Sequence, residues 1–147
     1  MDKDAYLEIN ASQRPALALF EAMGYTYISP ADCDKQRGSR YHVLLRDILR
    51  GQLRRLNRYA YAGAENEFSA ANIERAMEDL DEPLTDGLVR TSEKIYDALL
   101  LGKSYPETVG DGKMLSFNLR YIDWDNPQNN VFHVTEEFVV DSRHRQH

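Results

Sequence analysis

The sequence predicts a mixed α/β fold of the α+β kind, and three observations carry that expectation. Apolar residues at Val43/Leu44, Ile48/Leu49, Leu53 and Leu56 form a broad helical stripe over about four turns. After Gly110-Asp111-Gly112 the period changes to two, with Leu115, Phe117, Leu119 and Tyr121 alternating against Ser116, Asn118 and Arg120. The chain has 147 residues, 42% hydrophobic and 10% aromatic, enough for one domain with a real core.

The elements follow in order. Leu17, Phe20 and Met23 keep helical spacing after Pro15, which a first turn tolerates, and Gly24 supplies the stop. Residues 25–29, YTYIS, alternate bulky side chains as a short strand that Pro30 ends. Residues 31–40 are polar and predict irregular chain. The helix of the 43–56 stripe comes next. FSAANIERAMEDL then offers Ser69 as a cap before Ile73, Met77 and Leu80. RTSEKIYDALLLGKS offers Thr91 or Ser92 as a cap, Glu93 in the first turn and Gly102 beyond the end. The alternation that begins at Leu115 predicts a strand, and Phe132, Val134, Phe138 and Val140 repeat it. The predicted order is helices with one early strand, then strands, with no internal repeat.

Composition narrows the function classes. No apolar run approaches the roughly 18 residues of a membrane span, and the polar, acidic first ten residues do not read as a signal peptide, so a cytoplasmic protein is expected. The single cysteine, Cys33, offers no partner for an internal disulfide and suits a small buried filler. The net charge of −6 argues against nucleic acid as a partner, but its distribution argues otherwise. Residues 35–58 hold eight basic side chains against the single acid Asp47, a local +7 that leaves −13 for the rest.

Several short motifs fail on their spacing. Asp123, Asp125 and Asn126 suggest a calcium loop, but positions 5, 6 and 12 counted from Asp123 are Pro127, Gln128 and Val134. That loop needs an oxygen ligand, a glycine and a glutamate there. Turn chemistry at Asn126-Pro127 and Asn129-Asn130, between two alternating stretches, predicts a strand–loop–strand unit instead. Gly102-Lys103-Ser104 ends like a phosphate loop, yet the motif's first glycine would fall at Asp97 in a helical pattern, and a helix C-terminus repels phosphate. Asp111-Gly112-Lys113 has the D-x-K spacing of metal-dependent nucleases but lies in a glycine-flanked turn, which reads as a hairpin entrance. His42, His133, His144 and His147 show no zinc-helix pairing, so no metal ligand is assigned.

One pattern survives. Arg46, Arg50, Arg54 and Arg58 recur every four residues, about 6 Å apart along a helix, on a face largely separate from the leucines. Guanidinium groups spaced this way suit a phosphate backbone. The same pattern suits a solvated helix face or a surface for an acidic partner.

The stretches RPALALFEAMGYTYISP, VLLRDILRGQLRRLNR, EFSAANIERAMEDL, DGLVRTSEKIYDALLLGKSY and LRYIDWDNPQNNVFHVTEEFVV together carry a resemblance. From about Gln13 to Val140 the chain resembles the N-terminal region of the R subunit of type I restriction enzymes, the subunit that joins a nuclease domain to a DNA-translocating motor. The resemblance implies a PD-(D/E)xK-type nuclease fold, with helices on an incomplete mixed sheet in a single domain over 1–147. In the family, a strand corresponding to Val131–Val140 precedes an Arg-Pro-Asp and a Glu-x-Lys. Neither occurs in this sequence. The chain is therefore expected to be an N-terminal portion, truncated before the catalytic strands and inactive alone, with an exposed sheet edge open to self-association. Mg²⁺ would belong to the complete nuclease domain, and ATP only to the motor domains. Gln13, with Glu21 as second choice, is the candidate polar residue of the first helix facing that metal. Expected partners are DNA and the methyltransferase and specificity subunits. The alternative is a non-catalytic module that docks DNA or a subunit.

Overall fold

The computed structural model describes residue 3, residues 9–81 and residues 83–141. In chain order the elements are α1 (Arg14–Ala22), β1 (Thr26–Tyr27), α2 (Pro30–Arg37), α3 (Arg46–Leu56), β2 (Tyr59–Tyr61) and β3 (Ala64–Asn66). They continue with α4 (Ala70–Leu80), α5 (Leu88–Leu101), β4 (Lys103–Thr108), β5 (Met114–Leu119) and β6 (His133–Val134). The fold is mixed α/β. Helices and strands interleave, however, instead of separating into a helical half and a strand half. The chain divides into two compact units, one of Met1–Leu45 with Val131–His147, the other of Arg46–Asn130.

In the first unit, α1 follows a π-helical turn at Ile9–Gln13 and ends before Gly24, whose φ of 95° only glycine adopts freely. Phe20, Tyr25 and Phe132 form a chain of ring contacts, with centroids 5.1 and 5.4 Å apart. β1 pairs in parallel with β6, Thr26 opposite His133. The expected strand over Val131–Val140 shrinks to those two residues of β6. Glu137 takes a φ of 45°, and Val139 gives its carbonyl to the Arg37 guanidinium rather than to a neighbouring strand.

Residues 31–40 are not irregular throughout, because α2 occupies most of them. The side chain of Ser29 accepts the Asp32 N–H, Pro30 opens the first turn, and Gly38 closes the helix at a φ of 72°. A helix with no apolar stripe was hidden from periodicity, although its caps are plain in the sequence. Arg37 is buried, donates to Asp34 and to the carbonyls of His42 and Val139, and lies 4.2 Å from the Phe138 ring centre. The Arg37 hydrogen bond holds the Asp34 carboxyl below its ordinary range, against the opposing effect of burial and with Arg40 assisting.

The second unit has the larger core, built from Leu53, Phe68, Ile73, Ala76, Met77, Ala98, Tyr105, Leu119 and Tyr121. Fully burying a side chain such as Leu53, Ile73 or Met77 contributes about 1.5–3 kcal/mol each. The helix of the leucine stripe starts at Arg46, so Val43 and Leu44 precede it. Ser69 caps α4 by accepting the Asn72 N–H. α5 begins at Leu88 with Gly87 as its cap residue, which places Thr91 and Ser92 inside the helix rather than at its start. Gly102 ends α5 at φ 74°, ψ −170°, and a Cβ there would stand 2.4 Å from the Leu119 carbonyl oxygen. Glycine is required at that position on both counts.

Two strand pairs organise this unit. β4 and β5 form an antiparallel hairpin with Lys103 opposite Leu119 and Thr108 opposite Met114. β2 and β3 pair across Ala62-Gly63, both at positive φ, a turn suited to hairpin twist. Tyr59 stacks on Phe117 with ring centres 4.4 Å apart. The Asp111-Gly112-Lys113 turn is the tip of the β4–β5 hairpin, with Asp111 at a φ of 64°.

Candidate functional site

The basic residues of α3 sort by what α3 meets. Arg46 donates to Asp81 at 2.9 Å, and Arg50 donates to Glu74 at 2.5 Å and to Asp47 at 2.8 Å. The Glu74 hydrogen bond raises the Arg50 guanidinium pKa, and the same bond lowers that of the Glu74 carboxyl. Arg58 lies 3.1 Å from Glu67 and donates to the Arg54 carbonyl at 2.6 Å. Arg54 is exposed. Thus the helix carries only Arg46, Arg50 and Arg54 of the expected stripe, since it ends at Leu56 and Arg58 lies beyond it. Arg46, Arg50 and Arg58 face Asp81, Glu74 and Glu67, carboxylates that no spacing within α3 reveals.

Arg55 stands outside that stripe and behaves differently. Its guanidinium donates to the backbone carbonyl of Asn129, which also accepts from Gln52 at 3.2 Å. A neutral carbonyl orients a guanidinium without cancelling its charge.

The loop it touches is tied down at both ends. Asn57, buried after α3, accepts the Arg120 N–H at 2.9 Å and donates to the Leu53 and Arg120 carbonyls at 2.9 and 2.8 Å. Asn130 accepts the Asp123 N–H at 2.9 Å and donates to the Asp123 carbonyl at 2.9 Å and the Pro127 carbonyl at 3.0 Å. Asp123 is fully buried, and its carboxylate accepts from the Asn129 amide, the Asn126 N–H and Arg120 at 3.0, 3.0 and 3.1 Å. The Asn129 and Asn126 hydrogen bonds hold its pKa below the ordinary range, against the cost of burial, and the Arg120 charge adds to them. The aspartate that suggests a calcium loop is the hub of a turn.

Between this loop and the end of α3 lies a cleft of about 360 Å³, lined by Arg55, Leu56, Arg120, Asp123, Gln128 and Asn129. Sequence reasoning missed Arg55, Arg120 and Gln128 because they are far apart in the chain. The +7 segment signalled only the helix side.

The remaining candidates are dispersed. Gln13 and Glu21 lie in the first unit, where Gln13 lines a cavity of about 380 Å³ with Arg14, Leu17, Pro30, Glu136 and Glu137. The Gln13 side-chain oxygen is buried and has no hydrogen-bond partner among the described residues. Glu21 is exposed on α1. Lys103 of the Gly102-Lys103-Ser104 stretch pairs with Asp79 at 3.0 Å at the start of β4. Asp79 also accepts from the Tyr105 hydroxyl at 2.5 Å, and burial, then that bond, push the tyrosine pKa up. Asp111 and Lys113 are exposed at the hairpin tip. Among the described residues no group of three or more His, Cys, Asp or Glu side chains could hold a metal ion, and His144 and His147 lie outside them.

The class these features define is a mixed α/β chain that presents an arginine-lined cleft. The chain belongs to the type I restriction enzyme R protein N terminus family (HSDR_N), which it matches over residues 5–147. It is therefore a component of a restriction system, from the N-terminal region of the R subunit. No curated protein and no solved structure gives a significant match. Among the described residues, no helix is long and apolar enough to cross a membrane.

Proposed function

We propose that the chain is the N-terminal portion of a PD-(D/E)xK-type nuclease domain, contributing to Mg²⁺-dependent cleavage of double-stranded DNA in an ATP-driven restriction complex. The family match over residues 5–147 carries this reading. Its mixed α/β fold and its arginine-lined cleft agree with a chain that works on DNA. The cytoplasm is the compartment where such a complex meets DNA, with the methyltransferase and specificity subunits as partners.

The described residues do not fit a Mg²⁺ site by themselves, since Glu136 and Glu137 are the only carboxylates lining the Gln13 cavity. No catalytic step is assigned to them. The metal belongs to the complete nuclease domain and ATP to the motor domains, while Gln13 is the residue this region would turn toward that centre. A second reading, a docking module without catalysis, is favoured by Leu88, Val89, Tyr96 and Leu101, large apolar side chains exposed on α5.

Incubation of supercoiled plasmid with Mg²⁺ separates these roles. The 147-residue chain is expected to leave the plasmid intact, whereas an R subunit carrying Arg-Pro-Asp and Glu-x-Lys, assembled with its partners and ATP, cuts it. Cleavage by the purified 147-residue chain, abolished by Asp111→Asn or Lys113→Ala, would instead make the hairpin tip a catalytic site.

A further inference from the structure

We propose that the cleft between the end of α3 and the 120–130 loop is a contact site for the phosphodiester backbone of duplex DNA, an inference that rests on the nuclease reading above. The argument is one of charge left over after the fold has used what it needs. Arg46, Arg50 and Arg58 are engaged by Asp81, Glu74 and Glu67, so a phosphate arriving there competes with a carboxylate already in place.

Among the described residues the Arg55 guanidinium meets only a neutral carbonyl, and Arg55 is exposed. Arg120 places one guanidinium nitrogen on Asp123 and keeps 42% of its side chain exposed. The Asp123 carboxylate already accepts from Arg120, Asn126 and Asn129, which take up most of its roughly four acceptor sites and leave it little capacity to hold a second cation. Two guanidinium groups against one satisfied carboxylate leave the cleft with a net positive charge and spare N–H donors.

The geometry is prepared in advance. Asn57 and Asn130 fix both ends of the loop by hydrogen bonds of 2.8 to 3.0 Å, so the donors are held before a ligand arrives. Gln128 adds an exposed amide on the far wall. Such a set of donors recognises a phosphodiester without reading a base edge, so the contact is independent of sequence.

The test measures binding of the 147-residue chain to a labelled duplex of about 30 base pairs over a salt series. Each phosphate contact contributes about 0.9 to the log–log salt slope. Arg55→Gln is expected to weaken binding several-fold and flatten the slope by about that amount. Gln128→Lys, at an exposed position, is expected to tighten binding and steepen the slope, and it decides the matter even where Arg55→Gln perturbs folding. Arg50→Gln is expected to leave the slope unchanged. Wild-type binding that neither Arg55→Gln nor Gln128→Lys alters would overturn the cleft and leave the nuclease reading standing. A wild-type chain that fails to bind duplex at low salt would overturn both.

Discussion

Asp123 is a charge kept inside the protein by its neighbours, and its stability contribution depends on pH in a calculable direction. Its folded pKa lies below the ordinary aspartate value because the Asn129 and Asn126 donors favour the ionised form. A carboxyl with a depressed folded pKa contributes stability at pH above its unfolded value, about 3.9, and loses it as pH falls through the folded value. Asp123→Asn places an amide where three donors converge and leaves Arg120 unpaired. The variant is expected to unfold at lower urea concentration than wild type at pH 7, and the gap should narrow as the pH drops below about 4. Urea midpoints across that pH range check it. A gap that stays constant would assign the loss to side-chain packing rather than charge.

At the scale of elements, Glu107 of β4 joins a strand to a helix. Its buried carboxylate accepts the backbone N–H and hydroxyl of Ser69 at 2.7 and 3.0 Å and the Asn72 amide at 2.9 Å. Ser69 is the cap of α4, so an anion sits at a helix N-terminus, where the helix dipole and charge-assisted bonds both favour it. Glu107→Gln keeps the shape and removes the charge, and should cost about 1–2 kcal/mol in denaturant unfolding with an unchanged m-value. A neutral result would mean that the cap alone holds α4 in place.

The same elements show what the sequence made legible. α3, α4 and β5 announced themselves by period, and Gly24 and Gly102 by their place after apolar runs. β4 did not, because Pro106 interrupts it and its outward row is polar, yet proline is tolerated on an edge strand. The Asn72 side chain donates to the Pro106 carbonyl at 2.6 Å, a contact between residues far apart in sequence. For the site, the arginine spacing within one helix could be read directly. Asp47, three residues before Arg50, is the one acid that spacing within α3 offers. Asp81, Glu74 and Glu67, which pair with Arg46, Arg50 and Arg58, come from beyond α3, as does Arg120 opposite Arg55, and periodicity carries no information about such pairs.

For the molecule as a whole, burial is distributed unevenly between two units. Arg46–Asn130 is continuous in sequence and contains every residue of the hydrophobic core cluster, from Leu53 to Tyr121. The other unit is assembled from two chain segments, and its fully buried members among the described residues are Cys33 and Arg37. One of these is a small thiol and the other a cation whose burial needs Asp34, so apolar burial contributes little there. A segment over 46–130 exceeds the roughly 55–65 residues at which many single domains fold alone, and its two hairpins and three helices bring their own partners. The polypeptide 46–130, expressed by itself, is therefore expected to unfold in one cooperative transition, with helical and tyrosine signals changing together. It should also keep the salt-dependent duplex binding of the full chain, since Arg55, Arg120 and Gln128 all lie within it. Broad, non-coincident transitions in circular dichroism and fluorescence would show that the core needs the remaining segments to close.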